Sequence, residues 1–238
     1  MLVREGVSRN DALDRKLAVS LAAVAGALNA AAFYAVGFFS ANMTGNVSAL
    51  SDHLALAGWL DASFYLSVVL AFVAGSAVSA LLVSAGRRRR MHRIYGYVIL
   101  VEAFLLGLLG CATLAPLGSW RVPTLVTGLA FLLGLQNAVV TRISGARVRT
   151  THVSGMVTDL GIELALAFDI WRGRESRAES ANNTSKLWLH LSTIMAFLAG
   201  GVIGVLIYRA IGNYLLFVGA GALTLVAFAG ISQAPDRM

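Results

Sequence analysis

Few side chains in this 238-residue chain are suited to chemistry, and most of those gather in two short stretches. Ser40-Ala41-Asn42-Met43-Thr44-Gly45-Asn46 and Arg149-Thr150-Thr151-His152-Val153-Ser154-Gly155 interrupt apolar sequence with hydroxyls, amides and glycine. Each is followed by a short helical pattern, near 44 to 57 and near 154 to 168. Thr44 and Ser154 are the expected N-caps, and the N–H groups behind them, at the positive end of a helix dipole, favour an anion or a carbonyl-type oxygen. The candidate binding residues are Asn42, Thr44, Gly45 and Asn46 in one stretch and Thr151, Ser154 and Gly155 in the other. Asn29 and Asn137 join them, from the related segments Gly26-Ala27-Leu28-Asn29-Ala30 and Gly134-Leu135-Gln136-Asn137-Ala138. A purely structural account also exists, in which Thr, Ser and Asn satisfy backbone groups in a buried helix break.

Glu102 lies about nine residues into its apolar segment, about 12 Å deep at 1.5 Å per residue. A charged side chain there costs about 2.5 to 3.5 kcal/mol on insertion scales, so an acid at that depth is a functional candidate. Aligning Tyr97 with Tyr214 gives Gly219 as its counterpart, and an acid in one half alone suits proton coupling. The structural alternative is a neutral Glu bonded to a neighbouring helix. Asp159 and Glu163, at i and i+4, share a helix face that suits a vestibule or a solvated surface. His53, His92, His152 and His190 have no metal-ligand spacing, and the single Cys111 gives neither a disulfide nor a cysteine metal site. His152 and Ser154, at i and i+2, point apart on a helix. No catalytic residue, metal or cofactor is therefore expected, and the chain does not read as an enzyme.

The elements that must position these residues follow from composition. With 58% hydrophobic and 13% charged residues and a mean hydropathy of +0.75, the chain is too apolar for a soluble domain of its length. Six apolar segments are long enough to cross a bilayer, near 17 to 39, 60 to 85, 94 to 116, 122 to 141, 187 to 209 and 213 to 232. The two short patterns reach about two-thirds of the way across a core of about 30 Å and read as re-entrant half-helices. With six crossings, all of the 19 Lys and Arg residues except Arg121 and Arg209 fall on the side of both termini, including the Arg87 to Arg90 run. Cytoplasmic loops collect such residues, so both termini are expected in the cytoplasm. The net charge of +7 is then an orientation signal, and nucleic acid is not an expected partner. Trp59 and Trp120 fall at the outer boundary and Trp171 and Trp188 at the inner one, where amphipathic rings prefer to sit.

The two halves also resemble each other. Leu66, Ser67, Ala71, Phe72, Ala74 and Gly75 recur as Leu191, Ser192, Ala196, Phe197, Ala199 and Gly200 at an offset of 125. The segment from Met43 to Leu50 matches Val153 to Leu160 at an offset of 110, and a polar insert near 171 to 186 accounts for the difference. Repeat one covers about 17 to 117 and repeat two about 122 to 233. Three crossings per repeat force the copies into opposite orientations, a construction common in secondary transporters and also used by channels. Ala71, Gly75 and Ser79, with Ala196, Gly200 and Gly204, mark faces of close helix approach within one chain; the same stripes also suit a homodimer contact. The expected architecture is all-α, with six transmembrane helices, two re-entrant half-helices and two inverted repeats around one midplane site. The expected function is secondary transport of a small solute, an anion being favoured; a passive channel and a non-transporting interaction protein are the alternatives.

The two polar stretches and Gly134-Leu135-Gln136-Asn137-Ala138 resemble the YoaK family of bacterial inner-membrane proteins, a family of unknown function. The likeness runs from about residue 17 to 232 and implies a multi-pass protein of the bacterial inner membrane. Asn29 stands where the family pattern implies Asp, and Ser154 where Thr is usual.

Overall fold

In an apolar chain without solvent partners the backbone must satisfy its own hydrogen bonds, and helices do so within each segment. The computed structural model describes residue 2, residues 10–175 and residues 177–232, with the side chains of 177–179 left out. It contains α1 (Asp11–Val36), α2 (Met43–Ala55), α3 (Trp59–Arg88), α4 (Ile94–Leu114), α5 (Arg121–Ser144), α6 (Val153–Trp171), α7 (Arg177–Ile211) and α8 (Leu215–Ser232). There is no strand among the described residues. Local chemistry sets several boundaries. Asn10 caps α1 by accepting the Leu13 N–H at 2.9 Å, and Asp11 and Asp14 occupy the first turn, where the dipole favours acids. Pro123 lies in the first turn of α5, where its missing N–H is no loss. Gly37 and Gly145, with φ of +78° and +61°, close α1 and α5 in the left-handed conformation that glycine tolerates.

Among the described residues five stretches are long and apolar enough to cross a membrane: 11–36, 59–88, 94–114, 118–144 and 180–232. The last holds both α7 and α8, joined through the short turn Gly212–Tyr214. Large apolar side chains cover the outer faces, with Leu60 84% and Trp171 78% exposed. Water would penalise such a surface and lipid accepts it. Arg4, Arg9 and Arg237, the side chain of Arg177, and residue 233 at the end of repeat two lie outside the described residues.

Three helix pairs organise the interior. α1 and α7 run parallel, from Asp11 beside Ser185 through Ala27 against Gly204 to Tyr34 beside Tyr208. α3 and α5 also run parallel: Val68 packs with Val126, the Ser76 hydroxyl donates to the Gly134 carbonyl at 3.0 Å, and Arg142 reaches Ser84 Oγ at 2.9 Å. α4 and α8 are antiparallel, with Gly96 against Ile231 and Leu106 against Gly219. A Cβ added to Gly26 would overlap the Phe197 carbonyl, and one on Gly134 the Phe72 carbonyl. Likewise Gly75 abuts Phe131 and Gly200 abuts Ala23, so these small residues serve contacts inside the chain.

Several boundaries differ from the sequence expectation, and α1 begins at Asp11 rather than near 17. The insert near 171 to 186 is largely helical: α6 extends to Trp171 and α7 begins at Arg177, ten residues before the expected 187. Ala, Glu and Lys in that segment favour helix, and Asn183 is tied to α6 by donating to the Glu163 carbonyl at 3.0 Å. With 19 residues, α6 measures about 28 Å rather than two-thirds of a hydrocarbon core; α2, with 13, measures about 20 Å.

Candidate functional site

Two side-chain amides fold the chain back on itself. α1 continues seven residues beyond Asn29, turns at Gly37, and returns until the Ala41 N–H donates to Asn29 Oδ1 at 2.9 Å. α2 consequently starts level with Asn29, about 10 Å back from the end of α1. The second half repeats this arrangement. α5 continues seven residues beyond Asn137, turns at Gly145, and returns to it. Asn137 Nδ2 donates to Thr151 Oγ1 at 2.8 Å, and the Thr150 hydroxyl donates to Asn137 Oδ1 at 3.2 Å. Lower in that loop the Val148 N–H donates to Ser144 Oγ at 3.0 Å.

The caps differ from those expected. Thr44 and Ser154 lie inside the first turns; Asn42 and His152 hold the N-cap positions. Asn42 Oδ1 accepts the Gly45 N–H at 3.1 Å, which makes it the better cap, because an amide oxygen at that place satisfies an otherwise orphaned donor. His152 makes no side-chain cap bond. Thr44 Oγ1 and Ser154 Oγ therefore do no capping, and both side chains are exposed.

The starts of α2 and α6 face one cavity of about 650 Å³, lined by Asn29, Phe39, Ala41, Asn42, Met43, Thr44, Phe72, Thr151, His152, Val153, Ser154, Gly155, Ile194, Phe197 and Leu198. Six of the sequence candidates thus meet: Asn29, Asn42, Thr44, Thr151, Ser154 and Gly155. Gly45, Asn46 and Asn137 are outside the lining. Gly45 binds Asn42, Asn46 Nδ2 donates to the Phe39 carbonyl at 3.3 Å, and Asn137 holds the loop of the second half. Phe72 and Phe197 come from α3 and α7 and reach the cavity where those helices cross α5 and α1. Sequence reasoning matched them only as repeat positions; their pairing at the offset of 125 beside small residues was the available signal.

The lining contains no Asp or Glu. Arg149, which opens the second polar stretch but is not among the expected binding residues, has its guanidinium Nη1 3.5 Å from where a Cβ on Gly155 would stand. A cation and two helix N-termini therefore border a cavity without acids, and that field attracts negative charge. Glu102 stands apart. It is 1% exposed in α4, outside this lining, and its Oε2 has no hydrogen-bond partner. Glu163 and Asp159 line a different cavity, of about 370 Å³. Among the described residues no group of three or more His, Cys, Asp or Glu is placed to hold a metal ion.

Residues 17–229 match the family described as "Protein of unknown function (DUF1275)". No curated protein and no solved structure matches the chain. The match covers most of the 238 residues, and the chain belongs to this family.

Proposed function

We propose that this member of the family is a secondary transporter that moves a small solute, preferably an anion, through the cavity between α2 and α6. The observation that carries the reading is the meeting of two helix N-termini, one from each half, at an acid-free cavity with Arg149 beside it. Solute sites between discontinuous helices are a recurring feature of such transporters, where half-helix N-termini point at anionic groups.

The correspondence of the halves supports an inverted repeat. Gly26, Asn29 and Gly37 pair with Gly134, Asn137 and Gly145 at one offset, 108, and each set performs the same tasks: close crossing, tethering the returning loop, and turning the chain. Six crossings, by α1, α3, α4, α5, α7 and α8, agree with the parallel and antiparallel pairs, because α1 and α7 then run outward together and α3 and α5 inward together. In this reading α2 and α6 start at membrane depth without crossing, and both termini and the Arg87 to Arg90 run are cytoplasmic in a bacterial inner membrane.

The test is flux in proteoliposomes containing the purified protein, with chloride, nitrate, formate and acetate against the uncharged probes urea and glycerol. The expected result is saturable uptake and counterflow of at least one anion, reduced by Arg149→Ala and by Ser154→Ala. Flux without saturation or counterflow would make the protein a channel. No flux of any probe above that of empty liposomes would overturn the reading.

A further inference from the structure

We propose that Glu163 and His190 form a proton-binding site that fastens α6 to α7. Glu163 is 6% exposed, and its Oε1 lies 2.9 Å from His190 Nδ1. Its other oxygen, Oε2, is buried without a hydrogen-bond partner, although the residue lines the cavity of about 370 Å³ between α6 and α7. A buried carboxylate is costly unless a counter-charge stands beside it, and a proton held on the His190 ring supplies that counter-charge. His190 is the partner at hand, since an imidazole ring can hold one proton or two.

The surrounding charges come from three elements and the α5–α6 loop. Asp159 lies on α6 and Lys186 on α7, and both line the cavity. Arg147, from the loop, also lines it, but its guanidinium is engaged by α1, 2.7 Å from Asp11 Oδ1 and 3.3 Å from Asp14 Oδ2. The Glu163–His190 contact is a direct ionisable link between α6 and α7, reinforced by Asn183 on the Glu163 carbonyl.

The opposite half holds a counterpart. Position 163 corresponds to His53 at the offset of 110, and Lys186 and His190 correspond to Asp61 and Tyr65 at 125. There His53 stacks on Tyr65, with ring centroids 5.4 Å apart, and its Nδ1 lies 3.8 Å from Asp61 Oδ2. Each half thus fastens its short helix to the next long helix through a histidine and an acid, with the chemical roles exchanged.

This inference rests on the transporter reading for its use. Ser154 and Glu163 are nine residues apart on α6, about 13 Å along one rigid helix. With Glu163 ionised and His190 carrying protons on both nitrogens, attraction holds α6 on α7. Release of one proton from His190 to the cytoplasm leaves a neutral ring, removes the attraction, and lets α6 move with its cavity-facing start. No covalent bond other than N–H changes.

The test uses the full chain with Cys111→Ala and Ser154→Cys in inside-out vesicles, alkylated by a membrane-impermeant maleimide. A separate Arg90→Cys chain, also carrying Cys111→Ala, provides the reference for the reagent's own pH dependence. The normalised rate should rise with pH, by at most about tenfold per unit for one proton. Glu163→Gln and His190→Gln should each abolish that rise, whereas Glu102→Gln should leave it intact. A rise that survives both substitutions, or no rise in the parent chain, overturns the proposal. Anion flux reports separately. Flux with pH-independent labelling sinks the proton site alone, and pH-dependent labelling without flux sinks the transport reading alone.

Discussion

Replacing Asn137 by alanine removes the tether of the second returning loop, and the structure gives the size of the loss. Asn137 makes two bonds to that loop, from Nδ2 to Thr151 Oγ1 and from the Thr150 hydroxyl to Oδ1. Side-chain bonds between membrane helices contribute about 0.6 kcal/mol on average and at most about 1.7 kcal/mol. Thr150 is 0% exposed, so its hydroxyl would be stranded, and a buried orphaned group costs about 1 to 3 kcal/mol. The expected destabilisation is therefore about 2 to 4 kcal/mol, measured by unfolding in mixed micelles of mild and denaturing detergent. Asn137→Asp keeps an acceptor for Thr150 but loses the Nδ2 donor to Thr151 and buries an acid, so it should also destabilise, by about 1 to 3 kcal/mol. The geometric consequence is read independently with Cys111→Ala, Thr44→Cys and Ser154→Cys. A short cross-linker should join the two cysteines in the parent chain, and Asn137→Ala should lower the yield because α6 loses its fixed start. A change below about 0.5 kcal/mol with unaltered cross-linking would refute the reasoning, since that is the ordinary scatter of inconsequential substitutions.

Gly134→Ala should cost about 1 to 3 kcal/mol, because its Cβ would overlap the Phe72 carbonyl in a crossing of two backbones. Gly107→Ala, where no atom lies within 4 Å of the added carbon, should be neutral or stabilising by up to about 1 kcal/mol in the same unfolding assay. Arg147→Ala should cost about 1 to 2 kcal/mol: it loses contacts to Asp11 and to the fully buried Asp14, and solvent at the partly exposed guanidinium limits the effect. For topology, a cysteine at position 120 should react with an impermeant reagent in intact cells and one at position 90 only after permeabilisation; the reverse pattern would invert the chain in the membrane.

Composition alone determined the class of this protein. So large an apolar fraction leaves no soluble fold, and uninterrupted segments near 60 to 85 or 94 to 116 admit only helices, because lipid offers the backbone no partners. The breaks were legible too: Asn, Thr, Ser and Gly between such segments interrupt a helix wherever they meet. Repetition at fixed offsets carried more, since Phe72 and Phe197 or Asn29 and Asn137 matched before any contact was known. Boundaries inside the breaks were less determined. Asn42, Thr44, His152 and Ser154 are all competent cap residues or their neighbours; at α2 the returning loop brought the Asn42 oxygen to the Gly45 N–H, whereas at α6 His152 holds the position without a side-chain bond. The helical start of α7 was hidden for a similar reason, because its polar residues read as a loop until Asn183 bound α6. What only the tertiary structure decided was adjacency across the halves. Nothing local to Thr44 brings it to one cavity with Ser154, and nothing local to Gly26 sets it against Phe197. Those meetings are set by where long helices cross, and the crossings depend on glycines whose neighbours lie more than fifty residues away in the chain.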